Sequence, residues 1–398
     1  MKITDVKLYT VNSGTLGARG AAQGESQYWG GGWQTTTLIS NPMSVYPKYA
    51  KNRTLWMGPG QDPYVIEIFT DEGVSGMAAN FGGGAFACAV IDQHYRRFLV
   101  GEDPFNIEMI WDRMSRSTAP YGLGGVVGMA MAGVDLALWD LVGKALNQPV
   151  YKIAGGQTKE SIPCYVTIHP DNATLWKNSG FFGVKVAAPW GVESGRQGIK
   201  NMERLIAKLR DDLGDDMEIM IDCYLSWDIA FAARVAERVR EYDVKWFEDP
   251  LMNGWAAEQN RMLRDRIAPI QVATGNLEYH VNAFHDILHR QATDIIQPEL
   301  MWCGGMTAAR RIASMAKPWN LPVIPHGAAN YNYHFVMSNT NSPYAEFLTT
   351  GEGVEVKPIF DLLAGEALPV DGKVVLDPNK PGFGVEIADR GRLTPFPG

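Results

Sequence analysis

Ile219-Met-Ile-Asp222, Lys245-Trp-Phe-Glu248, Ala273-Thr-Gly-Asn276, Ile295-Ile-Gln-Pro-Glu299 and Val323-Ile-Pro-His326 are five short apolar runs, each closing on a polar residue. The closing positions (222, 248, 276, 299 and 326) recur every 23 to 28 residues, about the length of one strand, one helix and two short loops. That period predicts an α/β chain folded as a TIM-type (β/α) barrel. Residues at the C-terminal ends of barrel strands share one mouth, so Asp222, Glu248, Asn276, Glu299 and His326 are expected to converge there.

Working outward, 398 residues leave room for a barrel of roughly 250 residues and a second domain. Residues 3 to 10 and about 64 to 76 alternate like strands, with a turn at Asp71-Glu72-Gly73. They predict a small antiparallel sheet. Between them, 14 to 60 is rich in Gly, Ser, Thr, Asn and aromatics, a composition expected of a lid. Helical spacing is expected from about 92 to 114 and from 128 to 146. Strands follow near 161–167 and 183–187, and a last barrel strand near 345–348. Beyond about 366, short strands and turns are expected to return to the first domain. The expected division is a capping domain over 1–125, completed by about 366–398, and a catalytic barrel over 126–365.

Composition excludes several classes. Apolar residues make up 46% and charged residues 20% of the chain, as in globular proteins, and no apolar run approaches the roughly 18 residues of a membrane span. The N-terminus lacks the pattern of a signal peptide, which gives a cytoplasmic expectation. A net charge of −8 argues against nucleic acid or an anionic membrane as partner. The four cysteines, Cys88, Cys164, Cys223 and Cys303, form no CxxC pair and are expected to be reduced and mostly buried.

Asp222 and Glu248 on adjacent strands, with an oxygen donor on the next, suit a hard cation, and Mg²⁺ in particular. Such an ion can neutralise the dianion formed when a proton leaves the carbon beside a carboxylate. His326 is the candidate base, and Glu299 could hold its other ring nitrogen. Each residue also has a plainer role open to it. A lone acid at a strand end is commonly a helix cap, which is the expectation for Asp249. His169, His280, His285 and His289 are expected to be structural or on the surface.

Ala132-Gly-Val-Asp-Leu-Ala-Leu-Trp-Asp140, Phe247-Glu248-Asp249-Pro250, Gln297-Pro298-Glu299 with Cys303-Gly-Gly305, and Pro325-His326-Gly327 resemble the enolase superfamily, mandelate racemase subgroup. Asn41-Pro-Met-Ser44, Trp302-Cys-Gly-Gly305, Asn341-Ser-Pro343 and Pro381-Gly-Phe-Gly-Val-Glu386 resemble its L-rhamnonate dehydratases. The resemblance implies a modified (β/α)7β barrel under an α+β capping domain. It also implies an Mg²⁺-dependent hydro-lyase converting an aldonic (sugar) acid into a 2-keto-3-deoxy acid. Asp222, Glu248 and Asn276 would be metal ligands, Glu299 and His326 the acid/base pair, and Arg53, Lys185, Glu346 and Trp33 the substrate-side residues. A homo-oligomer, possibly an octamer by analogy, is implied as well.

Three positions depart from the pattern. Asn276 stands where a Glu ligand is usual, which removes one negative charge and leaves Glu278 as an alternative ligand. Glu299 replaces an Asp, and Gly32-Trp33 lacks the lid's usual His. Lys185-Val-Ala187 lacks a second base for the opposite substrate face, so the expected elimination is syn. Another superfamily reaction, an epimerisation or cycloisomerisation, stays open, as does a barrel that binds ligand without catalysis.

Overall fold

The computed structural model describes residues 1–11, 38–48, 62–252, 256–327, 329–349, 356–358 and 362–397. Arg53 and Trp33 lie outside them, as does most of the expected lid. Strands β1 (Ile3–Val11), β2 (Pro63–Thr70) and β3 (Ser75–Phe81) form an antiparallel sheet. The stretch of helical spacing over about 92–114 forms two helical segments, an irregular one over 84–98 and α1 (Ile107–Ser117). Gly101-Glu102-Asp103-Pro104 separates them, because Gly101 adopts a φ of 89° and Pro104 disfavours a helical residue before it.

Helix α2 (Val126–Ala145) buries 17 of its 20 residues against β2, β3 and a barrel helix. By length and composition it is apolar enough to cross a membrane, contrary to the expectation that no run is, yet 89% of its apolar window is buried within the fold. An all-round apolar surface is what a helix between two layers requires. A division of the chain after residue 125 would part this helix from the sheet it covers.

The barrel follows in order: β4 (Ile162–Thr167), β5 (Gly183–Ala187), α3 (Gly195–Leu213), β6 (Glu218–Asp222), α4 (Ile229–Val239), β7 (Val244–Glu248), α5 (Ala256–Ile267), β8 (Gln271–Thr274), α6 (His280–His289), β9 (Ile295–Ile296), α7 (Gly305–Ala316), α8 (Asn330–Ser338) and β10 (Ala345–Leu348). The strands are parallel, in the order β10-β4-β5-β6-β7-β8-β9. Val323 extends this sheet by one parallel bridge to Ile296. Its carbonyl accepts from Ser342 and its N–H donates to Asn341, which brings the open end to the approach of β10. A single helical turn over 173–176 follows β4, and no α-helix follows β10 among the described residues. This is the expected modified barrel under an α+β cap. Strand β11 (Leu393–Pro395) then pairs antiparallel with β1, so the tail completes the capping sheet. Lys373 and Val374 pair instead with β4 at its start.

Two layers fill the barrel. Tyr165, Met220, Trp246, Ala273, Ile295 and Ile324 pack together as one buried apolar cluster inside it. Side chains two positions apart on a strand share a face. The residues two positions further on, Thr167, Asp222, Glu248, Gly275, Gln297 and His326, therefore make the next layer up. Gly183 and Tyr344 lead in the same way to Lys185 and Glu346. The floor of the site is apolar and its next storey is almost entirely polar.

Candidate active site

Lys185 is the centre of that polar storey. Its Nζ lies 2.6 Å from Glu248 Oε1, 2.8 Å from Glu346 Oε1 and 3.6 Å from Asp222 Oδ2, and its side chain is 1% exposed. Burial pulls the ammonium down, but Glu248 and Glu346 more than offset this and hold it well above its usual value. Glu346 also accepts from Thr167 Oγ1, and from the Gly327 N–H at 2.8 Å. Burial alone would push the Glu346 carboxyl up; the charges of Lys185 and His326 outweigh it and bring it down to about 2.

Asp222 and Glu248 are register partners at the ends of β6 and β7. Glu248 is fixed further by Trp246 Nε1 at 3.2 Å and Gln297 Nε2 at 3.0 Å, both donating to its Oε2. Asp222 Oδ1 accepts from the Tyr224 N–H. Burial and the neighbouring Glu248 push the Asp222 carboxyl up to about 7 against the pull of Lys185 and His326. Asp249 is not the expected helix cap. It bonds Thr274 Oγ1 and the Gly275 N–H, and so braces the end of β8.

Asn276 stands one position beyond the Gly275 layer. Its Oδ1 is buried with no hydrogen-bond partner among the described residues. A Cβ on Gly275 would lie 2.8 Å from Phe284, so only glycine lets the chain pass there. An orphaned buried carbonyl oxygen costs about 1–3 kcal/mol, a penalty that coordination of a cation would remove. Charge points the same way: among the described residues, Asp222, Asp249, Glu248, Glu299 and Glu346 face only Lys185 and His326 as cationic groups. The donor set Asp222, Glu248 and Asn276, all oxygen, fits a hard divalent ion. Glu248, His326 and Glu346 also offer ligand atoms within 4.8 Å of one another. That grouping is the poorer fit, because Lys185 already bridges its two carboxylates and a ring nitrogen suits Mg²⁺ badly. Glu278 lines a separate cavity of about 530 Å³ between α5 and α6, with Glu258, Asp286 and Arg290.

His326 Nδ1 lies 3.0 Å from Glu299 Oε2. A carboxylate only accepts, so Nδ1 carries the proton and Nε2 is the nitrogen left for chemistry. Burial pulls this imidazole down, yet the Glu299 hydrogen bond and the Glu346 charge outweigh it and raise it to about 9. The other oxygen of Glu299 accepts from the Met301 N–H at 3.1 Å. Asn332 Nδ2 donates to the carbonyls of both His326 and Gly327, at 2.7 and 2.8 Å, and fixes the turn from which His326 projects.

The structure thus brings Asp222, Glu248, Glu299, His326, Glu346 and Lys185 together, while Asn276 follows Gly275 of the same layer with its amide oxygen buried and unpartnered among the described residues. The sequence reading missed Thr167, Gln297 and Asn332. Gln297 was open to discovery, since it stands two positions after Ile295 in the strand period. Asn332 carries no such signal.

Family comparison agrees with this architecture. Residues 56–155 match the family model "Mandelate racemase / muconate lactonizing enzyme, N-terminal domain", and 171–391 match "Enolase C-terminal domain-like". The chain is 36% identical to an L-rhamnonate dehydratase of Saccharopolyspora erythraea, over 97% of each protein. The crystal structure of rhamnonate dehydratase from Gibberella zeae complexed with Mg superposes with a TM-score of 0.91 at 33% identity, covering 99% of this chain and 96% of that one. A second structure of L-rhamnonate dehydratase from that organism gives a TM-score of 0.89 at 32% identity, with the same coverage. By both of its domain matches and by these end-to-end relatives, the chain belongs to the enolase superfamily, in the mandelate racemase subgroup.

Proposed function

We propose that this protein is an Mg²⁺-dependent sugar-acid dehydratase that acts on an L-rhamnonate-like aldonate and yields a 2-keto-3-deoxy acid. The observation that carries the reading is the buried Glu299–His326 pair, 3.0 Å apart, beside an oxygen donor set for a hard cation, in a chain similar from end to end to L-rhamnonate dehydratases.

Asp222, Glu248 and Asn276 are the residues that would hold the ion. When bound, Mg²⁺ supplies positive charge that holds the substrate carboxylate and offsets the second negative charge formed on deprotonation beside it. The neutral form of His326, which a cation held beside it would favour against the acidic groups that raise it, keeps its Nδ1–H on Glu299 and presents Nε2 to the proton at C2. The same nitrogen then returns that proton to the departing 3-hydroxyl, so both bonds break on one face and the elimination is syn. On the opposite face β5 ends in Ala187, and Lys185 is committed to two carboxylates. Among the described residues a two-base racemisation therefore lacks its second base. Lys185 and Glu346, in the polar layer, would lie beneath the substrate carboxylate, while Arg53 and Trp33, from the stretch expected to be a lid, are proposed as further substrate contacts. The reading includes a cytoplasmic homo-oligomer, which sedimentation of the purified protein would test.

The deciding experiment is a panel of aldonates, L-rhamnonate, L-mannonate and L-lyxonate among them, assayed with Mg²⁺ for 2-keto-3-deoxy acid. Turnover that disappears in His326→Asn while Mg²⁺ binding persists is the expected result. Undiminished dehydration by that variant would overturn the assignment. Deuterium entering recovered substrate without loss of water would instead indicate epimerisation.

A further inference from the structure

We propose that Asn80, at the end of the capping sheet, is a positioning residue for the Glu299–His326 pair. This rests on the assignment of Glu299 as the group that orients His326. Asn80 is fully buried near the end of β3. Its Nδ2 donates to the Met301 carbonyl at 2.6 Å and to the Met129 carbonyl, on α2, at 3.1 Å. Met301 is also the residue whose N–H donates to Glu299 Oε1. One residue of the barrel loop is therefore held at its carbonyl by the cap and holds the dyad acid with its N–H.

The neighbouring residue is gripped as well. Trp302 Nε1 donates to the Phe81 carbonyl at 3.0 Å, and a Cβ on Gly82 would lie 2.6 Å from that nitrogen. The indole thus fits against a backbone with no side chain. The Trp302 ring centre is 6.4 Å from that of His326. Asn80, Phe81 and Gly82 together form a seat for Met301 and Trp302. Within the loop, the Trp302 and Cys303 N–H groups cap the Glu299 carbonyl.

The longer Glu299 needs such a seat. A Glu side chain has one more rotatable bond than Asp, and its carboxylate stays opposite His326 only if its other oxygen is anchored. The Met301 N–H supplies the anchor, and Asn80 fixes the peptide that carries it. The capping domain thereby takes part in aligning a proton-transfer group borne by the barrel.

Asn80→Ser shortens the side chain so that it no longer reaches Met301. The expected result is a fall in kcat of about tenfold or more with KM changed less than about twofold, as for loss of alignment in the transition state. In a Glu299→Gln background the same change should cost less than about twofold, because the pair acts as a unit. A third readout needs no turnover: the rate at which diethyl pyrocarbonate modifies His326, followed by peptide mass, should change in Asn80→Ser as it does in Glu299→Gln. The rate at exposed His289 should stay constant. Gly82→Ala, which presses on Trp302 from the other side, provides the same cycle if Asn80→Ser fails to fold. Equal losses in both backgrounds, an effect confined to KM, or an unchanged His326 modification rate would each overturn the proposal. If the wild-type protein dehydrates no aldonate, the functional reading fails visibly and the modification rates alone decide the positioning role.

Discussion

Replacing Lys185 with Met tests the electrostatic design of the site. Among the described residues the ammonium is the one lysine charge set between Glu248, Glu346 and Asp222, and all four groups are buried. Its worth can be reached by two routes. Glu346 is brought down from 4.5 to about 2 chiefly by Lys185 working against burial, and at 1.36 kcal/mol per pKa unit that gap corresponds to about 3 kcal/mol of folding stability. Removing one partner of a buried ion pair independently costs about 3–5 kcal/mol. We therefore expect Lys185→Met to lose about 3–5 kcal/mol at pH 8 in urea unfolding with chelator present. In the variant, Glu346 is buried without its cation, so its folded-state pKa rises above the unfolded value. Stability is then retained below about pH 4 and lost as pH rises. In the wild type Glu346 still contributes fully at pH 5, since its contribution disappears only as pH falls toward 2. The gap should thus be widest at pH 8 and narrow toward pH 5. A difference under about 1 kcal/mol at pH 8, the size of a surface pair, or a gap that widens on acidification, would refute this account.

Asn276→Asp restores a negative charge to the cation site and should tighten Mg²⁺ binding about tenfold by calorimetry, whereas Asn276→Leu should weaken it by a similar factor. His334 is buried and accepts the Tyr151 N–H on Nδ1, and burial depresses it to about 3. Its contribution is complete above about pH 6.5 and is lost as pH falls toward 3, so unfolding followed over that window should show a loss of order 4 kcal/mol that His334→Gln largely removes. Burial raises Asp135 to about 7 despite the bond from the Thr307 N–H, and its Oδ1 has no partner among the described residues. Because its stability contribution falls as pH rises from about 4 through 7, Asp135→Asn should stabilise the protein by about 1–3 kcal/mol at pH 8 and distinctly less at pH 5.

The strand ends were readable because two local rules coincide in them. An apolar run ending in a polar residue marks both a buried parallel strand and the mouth it faces. Asp222, Glu248 and His326 obey both, and each stands two positions beyond a floor residue. Asn276 breaks the two-residue step by one, and the strand period therefore does not fix which way its side chain faces. Lys185 shows what a linear reading lacks: its neighbours Glu248 and Glu346 lie 63 and 161 positions away, on strands β7 and β10. Asn80 is more remote still. It stands 221 residues from Met301 in sequence, in a stretch whose only visible pattern is that of a sheet. The break at Gly101 to Pro104 was visible as composition but was outweighed by the apolar spacing on either side of it.

The pairing of β11 with β1 also bears on how the chain is made. Thr10 and Thr394, bonded across that pair, are 384 residues apart. At about 5–20 residues per second, β1 waits roughly 20–80 s after its own synthesis for the strand that covers its outer edge. Throughout that interval its hydrogen-bonding edge is open to any other extended chain nearby. Crowded polysomes are therefore where this protein is most exposed to mispairing, and the emergence of β11 is what ends the risk.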